Sequence, residues 1–141
     1  MVALAALVAS LIVVVNVSVT QDTVKELARE DEQTYSGARL KGLLSEGKPV
    51  FVYFSAEWCI TCKVNERVAL HTDGVQKLIA EKAITVLKGD WTNRNAEIAA
   101  VLAKYGRAGV PLYLFFPEGQ KTALVLPEIL TEETVKTYLL R

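Results

Sequence analysis

The fold of this 141-residue chain is decided by one stretch, Phe51-Val-Tyr-Phe-Ser-Ala-Glu-Trp-Cys-Ile-Thr-Cys-Lys63. Its apolar first half predicts a strand that is buried on both faces, and two cysteines follow where the chain turns into a helix. A cysteine at a helix N-terminus faces unpaired backbone N–H groups, which stabilise the thiolate, the attacking species in disulfide exchange. Cys62 lies about one helical turn after Cys59, close enough to form a disulfide with it. The stretch therefore indicates redox chemistry.

Two other interpretations of the cysteine pair stay open. A zinc site needs about four ligands, and beyond the two cysteines the chain offers one histidine, His71, and carboxylates. A purely structural disulfide would close a very short loop and constrain the unfolded chain little. The strand–turn–helix setting favours the redox interpretation. We expect no metal and no cofactor other than the redox-active Cys59–Cys62 disulfide.

Composition bounds the class of protein. The 16 basic and 16 acidic residues cancel, and no basic patch stands out, so nucleic acid is not an expected partner. Apolar residues make up 51% of the chain, but much of the excess lies in the first 19 positions. The remainder has the composition of one ordinary globular domain.

The N-terminal run is almost wholly apolar. As a helix, residues 1–19 would cover about 28 Å, enough for a hydrocarbon core. No Lys or Arg precedes the run, whereas an export signal normally begins with positive charge. We therefore predict a transmembrane or signal-like helix at 1–20, matching the last membrane helix of a longer protein, with a buried core helix as an alternative. Residues 21–34 are predicted to be a polar connector, solvated at 29–33, and residues 35–141 the folded domain.

Within that domain, apolar runs alternate with helical patterns. The predicted strands are Val50–Ala56, Ala83–Leu87, Leu112–Phe116 and a hairpin strand, Thr122–Leu126. The predicted helix caps are Ser36, Asp73, Asn93 or Asn95, and Thr131. The helix after the cysteines should run to about His71, with Val64, Val68 and Leu70 packed inward. This pattern predicts an α/β domain whose mixed sheet is parallel first and antiparallel at the hairpin.

The candidate catalytic residues lie around the turn. Cys59, at the start of the helix, is predicted to be the nucleophile, and Cys62 the resolving thiol. Glu66 lies four residues beyond Cys62, on the same helix face, where a carboxyl group could exchange the proton of Cys62. The alternative for Glu66 is a solvated helix glutamate.

Three further residues are predicted to contact a partner. Trp58 would shield the sulfur or touch the partner, unless it only packs at the edge. A proline after Gly109-Val110 at a strand start suggests a cis peptide bond at Val110-Pro111, with a plain trans proline as the alternative. Opposite Cys59, the backbone of Val110 could pair with an extended partner segment. His71 is predicted to be a surface or helix-end residue.

These motifs resemble known proteins. The Trp58-Cys-Ile-Thr-Cys62 motif, the preceding strand and Gly109-Val-Pro111 resemble a thioredoxin fold, over roughly residues 35–141. The longer string from Glu57 to Leu70, with Leu126-Pro-Glu-Ile-Leu-Thr131, resembles the C-terminal domain of the DsbD/ScsB-type thiol:disulfide interchange proteins. One departure concerns Tyr53, which stands where thioredoxins carry a buried Asp. This departure puts more weight on Glu66, or on water, for proton transfer.

The resemblance implies a function. It implies a membrane-tethered protein-disulfide reductase of the bacterial inner membrane, anchored through residues 1–19, with its thioredoxin-like domain in the periplasm. Reducing equivalents would arrive from an upstream membrane electron-transfer domain. They would pass to periplasmic thioredoxin-fold or other disulfide-bearing proteins through Cys59 and Cys62, with Glu66 as the nearby acid and Val110-Pro111 as the cis-proline loop. A cytochrome c maturation reductase and a binding module with a static disulfide are the alternatives.

Overall fold

The chain is described structurally over residues 32–141 by a computed structural model. The predicted helix at 1–20 and most of the predicted connector lie outside the described residues. Between residues 32 and 141, no helix is long and apolar enough to cross a bilayer.

The described residues form a five-stranded sheet with helices on both faces. The strands are β1 (Glu32–Thr34), β2 (Val50–Ser55), β3 (Thr85–Asp90), β4 (Leu112–Phe116) and β5 (Leu124–Val125). The helices are α1 (Gly37–Ser45), α2 (Ile60–Asn65), α3 (Asp73–Glu81), α4 (Ala96–Lys104) and α5 (Glu132–Leu139), and α2 continues as a π-helical turn, Glu66–Leu70. The strand order is β1-β3-β2-β4-β5, parallel among the first three and antiparallel from β2 to β5. The predicted mixed α/β sheet is confirmed.

Strand β2 is the centre of the sheet, and all six of its residues are buried. On one face, Phe51 and Tyr53 pack with residues of the π-helical turn, α3 and α5. On the other face, Val52 and Phe54 pack with α1 and α4. Burial on both faces explains why the strand is apolar at nearly every position rather than at alternate ones. Because β2 is held on both faces, the position of its end fixes where the cysteine turn begins.

Three of the four predicted helix caps are confirmed. The side chains of Ser36, Asn95 and Thr131 accept hydrogen bonds from the first turns of α1, α4 and α5. The prediction for Asp73 is wrong, because Thr72 accepts the bond from Val75 N. Asp73 instead occupies the first turn of α3, where its negative charge is favourable to the helix dipole.

Strand β1 was not predicted, because its residues were assigned to the connector. Glu32–Thr34 pairs in parallel with β3 at the edge of the sheet. Its three polar residues show no alternation of apolar and polar positions, so the strand can be recognised only by its pairing with β3. The prediction of a solvated face is wrong for Glu32, whose side chain is 11% exposed and lies 2.7 Å from His71 Nε2.

The helix after the cysteines packs with a different face from the predicted one. Leu70 is buried as predicted, but Val64 and Val68 are about half exposed. The buried stripe is Cys62, Asn65, Glu66, Ala69 and Leu70. Its spacing is helical, but two of its members are polar, so apolar periodicity selected the opposite face.

Asn65 connects this helix to the chain that precedes α5. Its Nδ2 donates to Tyr113 Oη at 2.8 Å and to the Glu128 carbonyl at 2.7 Å, while its Oδ1 accepts from Leu130 N at 3.1 Å. Burial raises the pKa of Tyr113 to about 12, so its hydroxyl keeps its proton at neutral pH. Two of these three hydrogen bonds fix residues 128–130 against the cysteine helix, and the third connects the helix to Tyr113 in β4.

We predict that Gly89→Ala destabilises the domain. A Cβ at Gly89 would lie 2.3 Å from Phe54 Cδ1, in the tightly packed core. We expect the free energy of unfolding to fall by about 1–3 kcal/mol, as measured by urea denaturation. The matched control is Gly42→Ala in α1, where no atom lies within 4 Å of the new Cβ. This control should stabilise by about 0.5–1 kcal/mol. Equal effects of the two changes would contradict the packing at Gly89.

We also predict that Asn65→Ala destabilises the domain by about 2–4 kcal/mol, since it leaves buried partners without hydrogen bonds. Tyr113→Phe removes only one of the three bonds and should cost about 1 kcal/mol. Urea unfolding curves of the full chain measure both values. A loss for Asn65→Ala no larger than that for Tyr113→Phe would contradict the proposed fixing of residues 128–130.

Candidate active site

The two cysteines form a disulfide at the end of β2. Cys59 is the N-cap of α2, and its Sγ accepts a hydrogen bond from Cys62 N at 3.2 Å. Cys59 is 7% exposed and Cys62 is 1% exposed. Cys59 is thus the more exposed residue of the two, at the position the sequence predicts for a nucleophile. Its sulfur faces a backbone donor that would stabilise a thiolate.

The loop before β4 lies against the disulfide. The Val110-Pro111 peptide bond is cis, as predicted from the sequence. Val110 packs against the small cluster formed by Ala56, Cys59 and Cys62. The structure therefore brings together the cysteines and the proline loop. The pairing of Val110 with a partner backbone stays a prediction.

Glu66 is buried on the helix face that carries Cys62. Its backbone N–H donates to the Cys62 carbonyl. The residue as a whole is only 8% exposed. Ser55 Oγ donates to Glu66 Oε1 at 2.6 Å, and Lys88 Nζ lies 3.3 Å from Oε2. The alternative of a solvated helix glutamate is wrong, because the carboxylate is enclosed and has protein partners. Its role in proton transfer stays a prediction.

Tyr53 occupies the strand position below the cysteines. Burial, with the nearby carboxylate of Glu32, raises the pKa of its hydroxyl, which therefore stays protonated at neutral pH. The hydroxyl has no hydrogen bond of ordinary geometry among the described residues. The ammonium of Lys88 lies 5.4 Å from the centre of the Tyr53 ring. Tyr53 thus cannot supply a carboxylate base, and the same Lys88 ammonium lies near both its ring and the Glu66 carboxylate.

A second contact between polar side chains lies at the other end of the π-helical turn. His71 ends the turn, as predicted, but its side chain is only 7% exposed and pairs with Glu32. Burial alone would raise the pKa of Glu32, but the hydrogen bond and charge of His71, with Lys88 nearby, lower it overall. His71 therefore connects β1 to the cysteine helix. Over residues 32–141, no group of three His, Cys, Asp or Glu side chains is arranged to hold a metal ion.

Trp58 is both packed and exposed. Its indole Nε1 donates to the Thr92 carbonyl at 3.1 Å, and its ring centre lies 6.1 Å from that of Trp91. The residue is nevertheless 48% exposed, directly beside Cys59. Edge packing and an accessible surface therefore coexist in one side chain.

Sequence reasoning missed the partners of the buried carboxylate, Ser55 and Lys88. Both residues belong to apolar strands, and Lys88 points to the same side of β3 as Val86. A lysine at an inward position of a strand is a signal, since a buried charge needs a partner. The identity of that partner could not be read from the spacing, because Glu66 lies 22 residues away in the sequence.

The comparisons with known proteins agree with this geometry. The thioredoxin-like family model matches residues 31–118. The DsbD thiol:disulfide interchange protein of Yersinia pestis (strain Pestoides F) is 39% identical over 72 residues, 51% of this chain and 12% of that protein. The DsbD of Actinobacillus pleuropneumoniae is 34% identical over 95 residues, 67% of this chain and 16% of that protein. The matched segment is therefore a small part of these relatives.

Solved structures show the same fold. The oxidised C-terminal domain of Neisseria meningitidis DsbD superposes with a TM-score of 0.59 at 23% identity, covering 75% of this chain and 96% of that domain. A thioredoxin from Thermus thermophilus gives a TM-score of 0.62 at 20% identity, covering 77% of this chain and 85% of that one. The disulfide turn, the cis-proline loop and the family match lead to one conclusion: the chain belongs to the thioredoxin-like family and resembles the C-terminal domain of DsbD.

Proposed function

We propose that this chain is a membrane-tethered thiol:disulfide oxidoreductase that passes reducing equivalents to disulfide-bearing proteins of the periplasm. The observation that carries the proposal is the asymmetry of the cysteine pair. Cys59 is the more exposed residue and its sulfur accepts a backbone hydrogen bond, whereas Cys62 is enclosed one turn further on. This is the arrangement that a nucleophile and a resolving thiol require.

The exchange proceeds in two displacements. In the reduced protein, the Cys59 thiolate attacks one sulfur of the partner disulfide, forms a mixed disulfide and releases the other partner sulfur as a thiolate, which takes up a proton. Cys62 then loses its proton, and its thiolate attacks the Cys59 sulfur and displaces the second partner thiolate. The partner gains two electrons and two protons, and the Cys59–Cys62 disulfide forms. An upstream dithiol must reduce that disulfide again.

Glu66 supports the second displacement in this proposal. Cys62 is 1% exposed, so water has little access to its proton. The Glu66 carboxylate follows Cys62 by one helical turn and is held by Ser55 and Lys88. A fixed carboxylate near a buried thiol is a suitable proton acceptor.

The cellular setting rests on sequence and on resemblance. The apolar run at residues 1–19 supports the membrane anchor. The similarity to DsbD supports a location in the bacterial inner membrane, with the folded domain in the periplasm and an electron-transfer domain upstream. Thioredoxin-fold and other disulfide-bearing periplasmic proteins are the proposed partners.

We predict that Cys59→Ser abolishes exchange, whereas Cys62→Ser accumulates mixed disulfides, because the first captured sulfur can no longer be displaced. Incubating the reduced full-length variants with a periplasmic extract, followed by non-reducing electrophoresis and mass spectrometry, measures both. The double variant is the matched control. Adducts on Cys59→Ser as abundant as those on Cys62→Ser would reverse the assigned roles.

A redox titration separates the relay from a binding module with a static disulfide. A relay should titrate reversibly near physiological potentials, whereas a static structural disulfide lies below about −300 mV. A potential in that low range would contradict the proposed function.

We predict that Glu66→Gln slows the resolving step by about 10²-fold, since it removes the proton acceptor but keeps the size of the side chain. The rate of mixed-disulfide decay is measured by quenched flow between about pH 6 and 9, a range that brackets the ordinary pKa of a cysteine thiol. The control is Glu57→Gln on the same turn, a change at a side chain that is 74% exposed. Equal decay rates and pH profiles for the two variants would exclude the proton role.

A further inference from the structure

The loop after β3, residues 91–95, forms a wall, that is, a surface packed against the residues that precede Cys59. The Glu57 N–H donates to Thr92 Oγ1 at 3.0 Å, and Trp58 Nε1 donates to the Thr92 carbonyl at 3.1 Å. Trp91 N donates to the Ser55 carbonyl at 2.8 Å. Three hydrogen bonds therefore hold this loop against the residues that precede Cys59.

Arg94 is the exposed cation of this wall. Its guanidinium lies 5.1 Å from the centre of the Trp58 ring and 5.9 Å from that of Trp91. Its backbone has a positive φ of 52°, a conformation that is uncommon outside glycine, and its N–H donates to the Trp91 carbonyl at 3.0 Å. The loop and the two indoles thus position the charge next to the residue that precedes Cys59.

The guanidinium has no carboxylate partner among residues 32–141. The acidic groups of the cysteine turn and of the segment around Arg94 have other partners, and Glu97 Oε1 accepts from Gly37 N at 2.8 Å. Glu57 Oε1 lies 2.8 Å from Lys63 Nζ, and Asp90 Oδ1 accepts from Thr92 N at 2.9 Å. The hydrogen bonds of Thr92 lower the pKa of Asp90, so that carboxylate is already stabilised as an anion. The donors of Arg94 are therefore left for a group from outside.

We propose that Arg94 is a specificity-determining residue that selects partner disulfides flanked by an acidic residue. A guanidinium stacked on aromatic rings keeps its in-plane N–H groups, which match the two oxygens of a carboxylate. Because the loop and the two indole rings already hold the Arg94 guanidinium in place before a partner binds, little side-chain entropy is lost on binding. The inference rests on the proposed function and names the chemistry of its substrate. Arg94 makes and breaks no bond itself, and the exchange steps are those given above.

The test uses the reduced full-length protein and three peptides. Each peptide has one cysteine joined by a disulfide to 2-mercaptoethanol, and the residue next to that cysteine is Glu, Gln or Lys. The measured quantity is the second-order rate constant for each peptide at low salt. We expect the Glu peptide to exceed the Lys peptide by about three- to tenfold for the unmodified chain. Added salt should reduce this ratio, because it screens exposed charges.

Two variants of the arginine make the outcome specific. Arg94→Gln should bring the ratio of Glu to Lys rate constants close to one, and Arg94→Glu should invert it. The matched control is Lys104→Gln, which removes the same charge at the far end of α4, about 12 Å along the helix from its start. This control should keep the ratio of the unmodified chain.

A ratio near one in the unmodified chain, or one that Lys104→Gln lowers as much as Arg94→Gln does, would overturn the inference while exchange itself continues. Absence of exchange with all three peptides would instead overturn the proposed function, and the inference with it. The two failures are therefore distinguishable.

Discussion

The burial of β2 on both faces is the constraint on which the rest depends. A strand that packs against helices above and below cannot shift by one residue without exposing half of its apolar side chains. Its end is therefore fixed, and so is the start of α2, where Cys59 caps the helix. The chemistry proposed for the cysteines needs this fixed geometry, since a sulfur accepts a backbone hydrogen bond only from one position and direction.

Polar and charged side chains, rather than apolar ones alone, pack around the cysteine helix. The largely buried carboxylate of Glu66 pairs with the partly exposed Lys88, and the buried side chains of Glu32 and His71 pair with each other. Charges in such a site are costly unless each has a partner. Every one of these four side chains has such a partner. Removing one member would leave its partner uncompensated, so these residues must be considered in pairs.

Much of the fold followed from the sequence, because alternation of buried strands and helical stripes is a local property. The cysteine turn, three helix caps and the cis bond at Val110-Pro111 were all recognisable from neighbouring residues. Strand β1 and the side-chain contact of Glu32 were not, since the strand pairs with Val86, 54 positions away, and the Glu32 carboxylate meets His71, 39 positions away. The contacts of Asn65 and the stacking of Arg94 also join segments that are distant in the sequence. Long-range polar contacts carry no periodic signal.

The helix that begins at Cys59 has its polarity partly reversed, with Asn65 and Glu66 inside and Val64 and Val68 outside. Such a segment is not a portable unit. Transplanted into another thioredoxin-like scaffold, it would bring an amide and a carboxylate into a core that lacks Tyr113, Ser55 and Lys88 to receive them. The receiving strands would have to be exchanged together with the helix, so the smallest unit that can be grafted is the helix with the sheet surface beneath it.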